Sequence, residues 1–158
     1  MAIRNVWAGL AVAAGVTAVA GSAWAAEPSK FEESIKYRRA AMTMLKWHVD
    51  RIAPMVRKPQ AFNRDEVARN AASIEFLSRV CLDGFEPGSD HGDTKALPEI
   101  WKDWNRFKSL GERFQAEAGK LRDVARTGDA AAVKAQFGET NKVCKACHDD
   151  FKSSKLTP

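Results

Sequence analysis

Apolar side chains recur along this chain at helical spacing. From Ser29 to Ala53 they fall at Phe31, Ile35, Met42, Leu45, Val49 and Ile52, a heptad pattern that predicts a helix capped by Ser29 and stopped by Pro54. A second helix is predicted from Asn63, with Glu66 completing a capping box. It buries Val67, Ala71, Ile74, Leu77 and Cys81 and ends near Asp83-Gly84. A loop rich in Gly, Pro, Ser and Asp runs from Phe85 to Leu97, and Pro98 is placed as the first residue of a third helix with the stripe Ile100, Trp104, Phe107, Phe114, Ala118, Leu121 and Ala125. Thr127-Gly128-Asp129 then supplies a C′ glycine and the next N-cap, and a fourth helix carries Val133, Phe137, Thr140, Cys144, Cys147 and Phe151 on one face. Strand signals are nearly absent. Four amphipathic helices joined by mostly short connections imply an all-α fold, an antiparallel up-down-up-down four-helix bundle.

The segment before the first helix is of another kind. One positive charge, Arg4, precedes an almost unbroken small and apolar run from Val6 to Ala20, and Ala23-Trp24-Ala25 follows. This is the pattern of a secretory signal peptide over residues 1–25, with cleavage near Ala25. A transmembrane anchor is the competing reading, but the run falls short of the roughly 20 apolar residues that a spanning helix needs. Cleavage leaves residues 26–158, a 133-residue chain with 24 basic and 20 acidic side chains, enough for one domain with a real core. The bacterial periplasm is the expected compartment, with no membrane anchor.

Charge narrows the partners only by exclusion. The mild basic excess is spread along the chain without a tract or aromatic interleaving, so nucleic-acid binding is not expected. Three cysteines, Cys81, Cys144 and Cys147, are an odd count for an exported protein and do not read as a disulfide framework.

Cys144-Lys145-Ala146-Cys147-His148 explains two of them, because C-x-x-C-H is the attachment pattern of c-type haem. On a helix, residues three and four apart share a face, so two thiols can add to the vinyl groups on one porphyrin edge while the adjacent imidazole reaches the iron. One covalently attached haem c is therefore expected, with His148 as its proximal ligand. A thioredoxin-like pair would sit near a strand-to-helix turn, and an i,i+3 helical disulfide would need its Cβ atoms closer than the helix holds them. Zinc would need further ligands, and neither His48 nor His91 lies in a partner spacing. Cys81, on the apolar stripe of the second helix, reads as a buried, inert thiol.

Arg38 fills a core position of the first helix where Leu would be expected. A buried arginine calls for an anionic partner, and a haem propionate fits; an Arg38 that snorkels to water at a frayed helix end is the alternative. Met42, one turn further on the same face, is placed to look down on the iron.

Here a resemblance becomes specific. Ile35-Lys36-Tyr37-Arg38-Arg39-Ala40-Ala41-Met42 resembles the first-helix motif of the cytochrome c prime family, the class II c-type cytochromes. Phe85 through Gly88 and Pro98-Glu99-Ile100-Trp101 resemble its central loop and third-helix start, and the C-terminal C-x-x-C-H completes the likeness over nearly the whole mature chain. The resemblance implies a four-helix-bundle homodimer with a five-coordinate, high-spin haem in an apolar distal pocket. It also implies binding of nitric oxide and carbon monoxide, with electron transfer to redox partner proteins as a further role. By similarity Arg38 takes the propionate-binding position, Met42 the distal position, and Lys152 the place of a basic residue beside the proximal pocket. Lys152 stands where many members carry arginine, which a lysine does not replace as a planar donor.

A methionine at position 42 leaves a second reading open, a low-spin His/Met electron carrier of the same fold. An enzyme such as a peroxidase would need a polar distal acid–base group, and the sequence offers none: His48 is six residues beyond Met42 and off the seam, and His91 falls in the central loop. Tyr37, Ala40, Met44 and Trp47 form a second apolar stripe on the first helix, expected at a dimer interface unless the segment after Pro54 folds back over it.

Overall fold

The structure, a computed structural model, describes residues 30–58 and 61–157. The signal-peptide segment, its cleavage site and the Ser29 cap lie outside the described residues. Seven elements follow one another: α1 (Lys30–Arg57), α2 (Arg64–Val80), β1 (Thr94–Ala96), α3 (Glu99–Lys102), α4 (Trp104–Thr127), α5 (Ala130–Phe151) and β2 (Lys152–Thr157). The four long helices form a bundle in which α1 packs on α2, α2 on α4, α4 on α5, and α5 closes back on α1.

The apolar stripes become two adjoining cores. The larger gathers Leu45, Ile52, Val67, Ile74, Leu77, Cys81, Leu121, Val133 and Phe137 from all four long helices. The smaller, at the other end, gathers Phe85, Ala96, Ile100, Phe107, Leu110 and Phe151. Met42 and Leu82 pack against both and mark the seam between them. Leu82 reaches it because Gly111 on α4 has no side chain: a Cβ there would lie 2.2 Å from Leu82 Cδ1.

Helix ends follow local chemistry. Asn63 caps α2 by accepting from Glu66 N at 3.0 Å, and Asp129 caps α5 by accepting from Ala132 N at 2.8 Å. Gly128 differs from the expected left-handed C′ glycine: its φ is −74°, in the extended region. Its value lies in space, since a Cβ would come within 2.7 Å of Val124 O.

Four further expectations are corrected. Pro54 does not stop α1, which continues to Arg57 because Met55 and Val56 are buried in the core; that packing offsets the hydrogen bond that proline cannot donate. The third helix is two helices, broken at Asp103, whose φ of −124° and ψ of 56° are not helical and whose carboxylate caps α4 by accepting from Arg106 N at 3.3 Å. That break leaves Trp104 42% exposed rather than in the core stripe. Phe31, also expected in the core, is exposed near the start of α1, where its ring lies over Gly88.

Two short strands were not anticipated either. β1 and β2 pair antiparallel, Thr94 opposite Thr157 and Ala96 opposite Lys152, and Leu97 N donates to Phe151 O at 3.0 Å. The chain beyond the last helix is thereby tied to the central loop.

Candidate haem site

Cys144, Cys147 and His148 lie in the last two turns of α5, where the sequence places them. Both thiols are half-buried and unbridged, and Cys147 with Ala146 packs on the smaller core. Burial raises the Cys144 thiol above its ordinary pKa and, with the neighbouring Cys144 and Asp150, pushes Cys147 up to about 11. A thioredoxin-like pair needs the opposite shift, toward thiolate. Among the described residues no group of three or more His, Cys, Asp or Glu side chains could hold a metal ion.

His148 presents one side to solvent, yet the protein around it desolvates the ring, and with Lys152 close by its pKa falls below the usual value while Asp149 opposes the shift. The neutral imidazole, the form that ligates iron, is favoured. Lys152 caps α5, its N–H donating to His148 O, and then begins β2. The backbone of the proposed ligand is thus held by a residue that the strand pair itself anchors.

Met42 is half-buried at the seam between the two cores, one helical turn beyond Arg38. Arg38 is only 2% exposed, so it does not snorkel. Its partners are neutral: Nη1 donates to Gly84 O at 2.9 Å and Ser89 Oγ at 2.6 Å, and Nη2 donates to Ser89 O at 2.5 Å and Thr94 Oγ1 at 2.7 Å. The guanidinium carbon also lies 4.9 Å from the Phe85 ring centre and 5.8 Å from that of Trp101. Burial lowers its pKa to about 10, with Asp90 opposing, and it remains a cation at neutral pH. The side chain pins the loop between α2 and β1 to α1, and next to it Arg39 pairs with Asp93.

Sequence reasoning named Arg38 but not the residues it holds. Gly84 approaches α1 so closely that a Cβ would lie 2.6 Å from Ser34 O and 2.9 Å from Arg38 Cβ. Gly88 and Gly92 turn the loop with φ of 90° and 95°, conformations that favour glycine. Trp101 closes the Pro98-Glu99-Ile100-Trp101 motif, and its Nε1 is buried without a hydrogen-bond partner among the described residues. Leaving such a donor unpaired costs about 1–3 kcal/mol. His48 is a structural histidine: Nδ1 donates to Asn70 Oδ1 at 2.8 Å, and Asn70 Nδ2 donates to Glu66 O. His91 is exposed beside Asp90.

A c-type haem fits this donor set. Two thiols and an imidazole share one helix end, Met42 packs on the same core as Cys147, and the buried Trp101 N–H has no acceptor among the described residues. The second stripe of α1 is open: Met44 is 48% and Trp47 58% exposed, and Phe76 of α2 is 62% exposed. Met44, His48, Ala72, Ser73, Phe76 and Leu77 line a groove between α1 and α2. No helix among the described residues is long and apolar enough to cross a membrane.

Comparison with known proteins agrees with the geometry. The sequence model described as Cytochrome C′ matches residues 33–152. A cytochrome c′ of Rubrivivax gelatinosus is 40% identical over 121 residues, covering 76% of this chain and 94% of the relative. Among solved structures, the cytochrome c prime of Shewanella frigidimarina superposes with a TM-score of 0.77 at 32% identity, over 81% of this chain and 100% of that one. The nitric oxide complex of a mutant cytochrome c prime of Alcaligenes xylosoxidans gives a TM-score of 0.74 at 35% identity, over 82% of this chain and 100% of that one.

Proposed function

The chain belongs to the cytochrome c′ family, carriers of covalently attached c-type haem, and from that premise we propose that it is an exported, periplasmic haem protein that binds nitric oxide and carbon monoxide at a five-coordinate, high-spin iron. In this reading residues 1–25 are a signal peptide and residues 26–158 the haem domain. Cys144 and Cys147 form the thioethers and His148 is the proximal ligand. The carrying observation is the placement of these three residues at the end of α5, with Cys147 against the core that also takes up Met42.

When bound, haem supplies an iron able to take up a diatomic ligand and to change oxidation state. The protein decides which ligands reach it. Met42 packs against both cores, and those contacts restrict its swing toward a ligand-bonding position. Its thioether offers no hydrogen bond to a polar ligand, so small neutral diatomics are favoured over water and cyanide, which would lose hydrogen bonds on entry. The nitric oxide complex of the Alcaligenes relative supports the gas-binding reading by analogy.

The second reading rests on the chemistry of the same residue. A thioether can ligate iron, which would give a six-coordinate, low-spin electron carrier exchanging electrons with partner proteins. Met42→Ala separates the two. Under the first reading the ferric spectrum stays high-spin and carbon monoxide binds faster. A change from low-spin to high-spin, with loss of the far-red sulfur-to-iron charge-transfer band, shows that Met42 was a ligand. Acid–acetone extraction tests the attachment: pigment that stays with the polypeptide agrees with the roles of Cys144 and Cys147, and pigment that partitions into the organic phase refutes them.

The open face of α1 and α2 suits a homodimer. Tyr37, Met44, Trp47 and Phe76 are exposed, Met44 and Phe76 in one groove, and large apolar side chains gathered on one face mark an interaction surface.

A further inference from the structure

Arg38 was the expected partner of a haem propionate, but its two terminal nitrogens are already directed at Gly84 O, Ser89 Oγ, Ser89 O and Thr94 Oγ1. The unpaired donor of this region is a different side chain. Nε1 of Trp101 is buried and has no acceptor among the described residues, and the indole packs on the same cluster as Met42, Ala146 and Cys147. The Arg38 guanidinium carbon lies 5.8 Å from the centre of that ring, so a positive charge stands beside the indole.

The chemistry of the prosthetic group narrows the acceptor. The four ring nitrogens of a haem are taken up by the iron and its vinyl groups by the thiols, which leaves the two propionate carboxylates as its hydrogen-bond acceptors. We propose that Trp101 Nε1–H donates to a haem propionate. Arg38 is then a positioning residue: it fixes the loop whose Phe85 flanks the indole at 6.4 Å between ring centres, and its charge favours an ionised carboxylate nearby. The inference deepens the haem reading and rests on it.

Trp101→Phe removes the N–H and keeps an aromatic ring, and it is made in the holoprotein beside Trp104→Phe, an exposed control. Resonance Raman spectroscopy of the haem reads the propionate bending band. A shift of that band in Trp101→Phe and none in Trp104→Phe is the expected result; a band unmoved in both overturns the assignment and leaves water as the partner. Should Trp101→Phe fail to fold, indole ¹⁵N labelling of the unaltered holoprotein decides the matter. A Trp101 N–H resonance that is deshielded and slow to exchange supports the proposal, and one that exchanges as fast as those of Trp47 and Trp104 refutes it. Failure of the haem reading itself would look different, as pigment extracted from the unaltered protein by acid–acetone.

Discussion

Gly84→Ala should be among the most damaging single-methyl additions to this protein. The new Cβ would lie 2.6 Å from Ser34 O, 2.9 Å from Arg38 Cβ and 3.0 Å from Arg38 N, all atoms of α1 that no rotamer change can move. The φ of Gly84 is not positive, so backbone strain plays no part and the whole effect is one of space. Overpacking of this kind costs about 1–3 kcal/mol. Pushing the loop off the helix would also stretch the 2.9 Å bond from Arg38 Nη1 to Gly84 O, and a hydrogen bond from a charged donor is worth about 1.5–3 kcal/mol. The expected loss is about 3–5 kcal/mol, read from urea unfolding of the holoprotein followed by helical circular dichroism. Gly119→Ala is the internal control. It lies inside α4 with nothing within 4 Å of the added atom, and it should gain about 0.5–1 kcal/mol from helix propensity. A loss below about 1 kcal/mol for Gly84→Ala would refute the close approach of loop and helix, and with it the clasp built on Arg38.

Cys81 makes stability fall at alkaline pH. Its thiol is pushed up to about 12 from 9.0, chiefly by burial. The folded state therefore keeps a proton that the unfolded state gives up, and stability is lost as pH rises above the unfolded value, by about 2 kcal/mol between pH 9 and 10.5. Urea unfolding of the unaltered protein and of Cys81→Ala at pH 8 and 10.5 checks this, since an equal alkaline loss in both would exclude the thiol as the cause. Met44→Glu puts a charge into the exposed groove between α1 and α2 and should yield monomers in sedimentation velocity; an unchanged dimer would place the interface elsewhere. Leu82→Ala should cost about 2–5 kcal/mol, because Leu82 fills the space that Gly111 leaves and touches both cores, and a loss below about 1 kcal/mol in urea unfolding would contradict that packing.

Periodic burial was legible in the sequence, and isolated contacts were not. Val67, Ala71, Ile74, Leu77 and Cys81 are all buried as their spacing requires, because a helix face repeats the same instruction each turn. The attachment motif was legible for the same reason, its three residues being local to one helix. Pro54 misled because a local breaker can be outweighed by burial of the two residues after it. The break at Asp103 rests on a single dihedral and one cap, with apolar residues on both sides continuing the helical spacing. β1 is three residues long, buried–exposed–buried, too short for a period to show.

Arg38 shows where the physical argument from sequence stops. A guanidinium in a core position implies burial and hydrogen-bond partners, and Arg38 is buried with both terminal nitrogens bonded; the position does not specify whose oxygens accept. Those oxygens come from a loop 46 to 56 residues away in sequence, and two of the four belong to the backbone and carry no side-chain signal. With the terminal nitrogens bonded there, the buried donor without a partner among the described residues is Nε1 of Trp101, a residue that is apolar by composition and polar at one atom. The same loop runs into β1, which holds Lys152 and, through Leu97 N, Phe151 O, so the loop clasped by Arg38 also fixes the end of the helix bearing His148. α1, the central loop and the end of α5 are therefore mechanically one unit, and a substitution at Arg38 or Gly84 is expected to disturb the surroundings of Met42 and of His148 together.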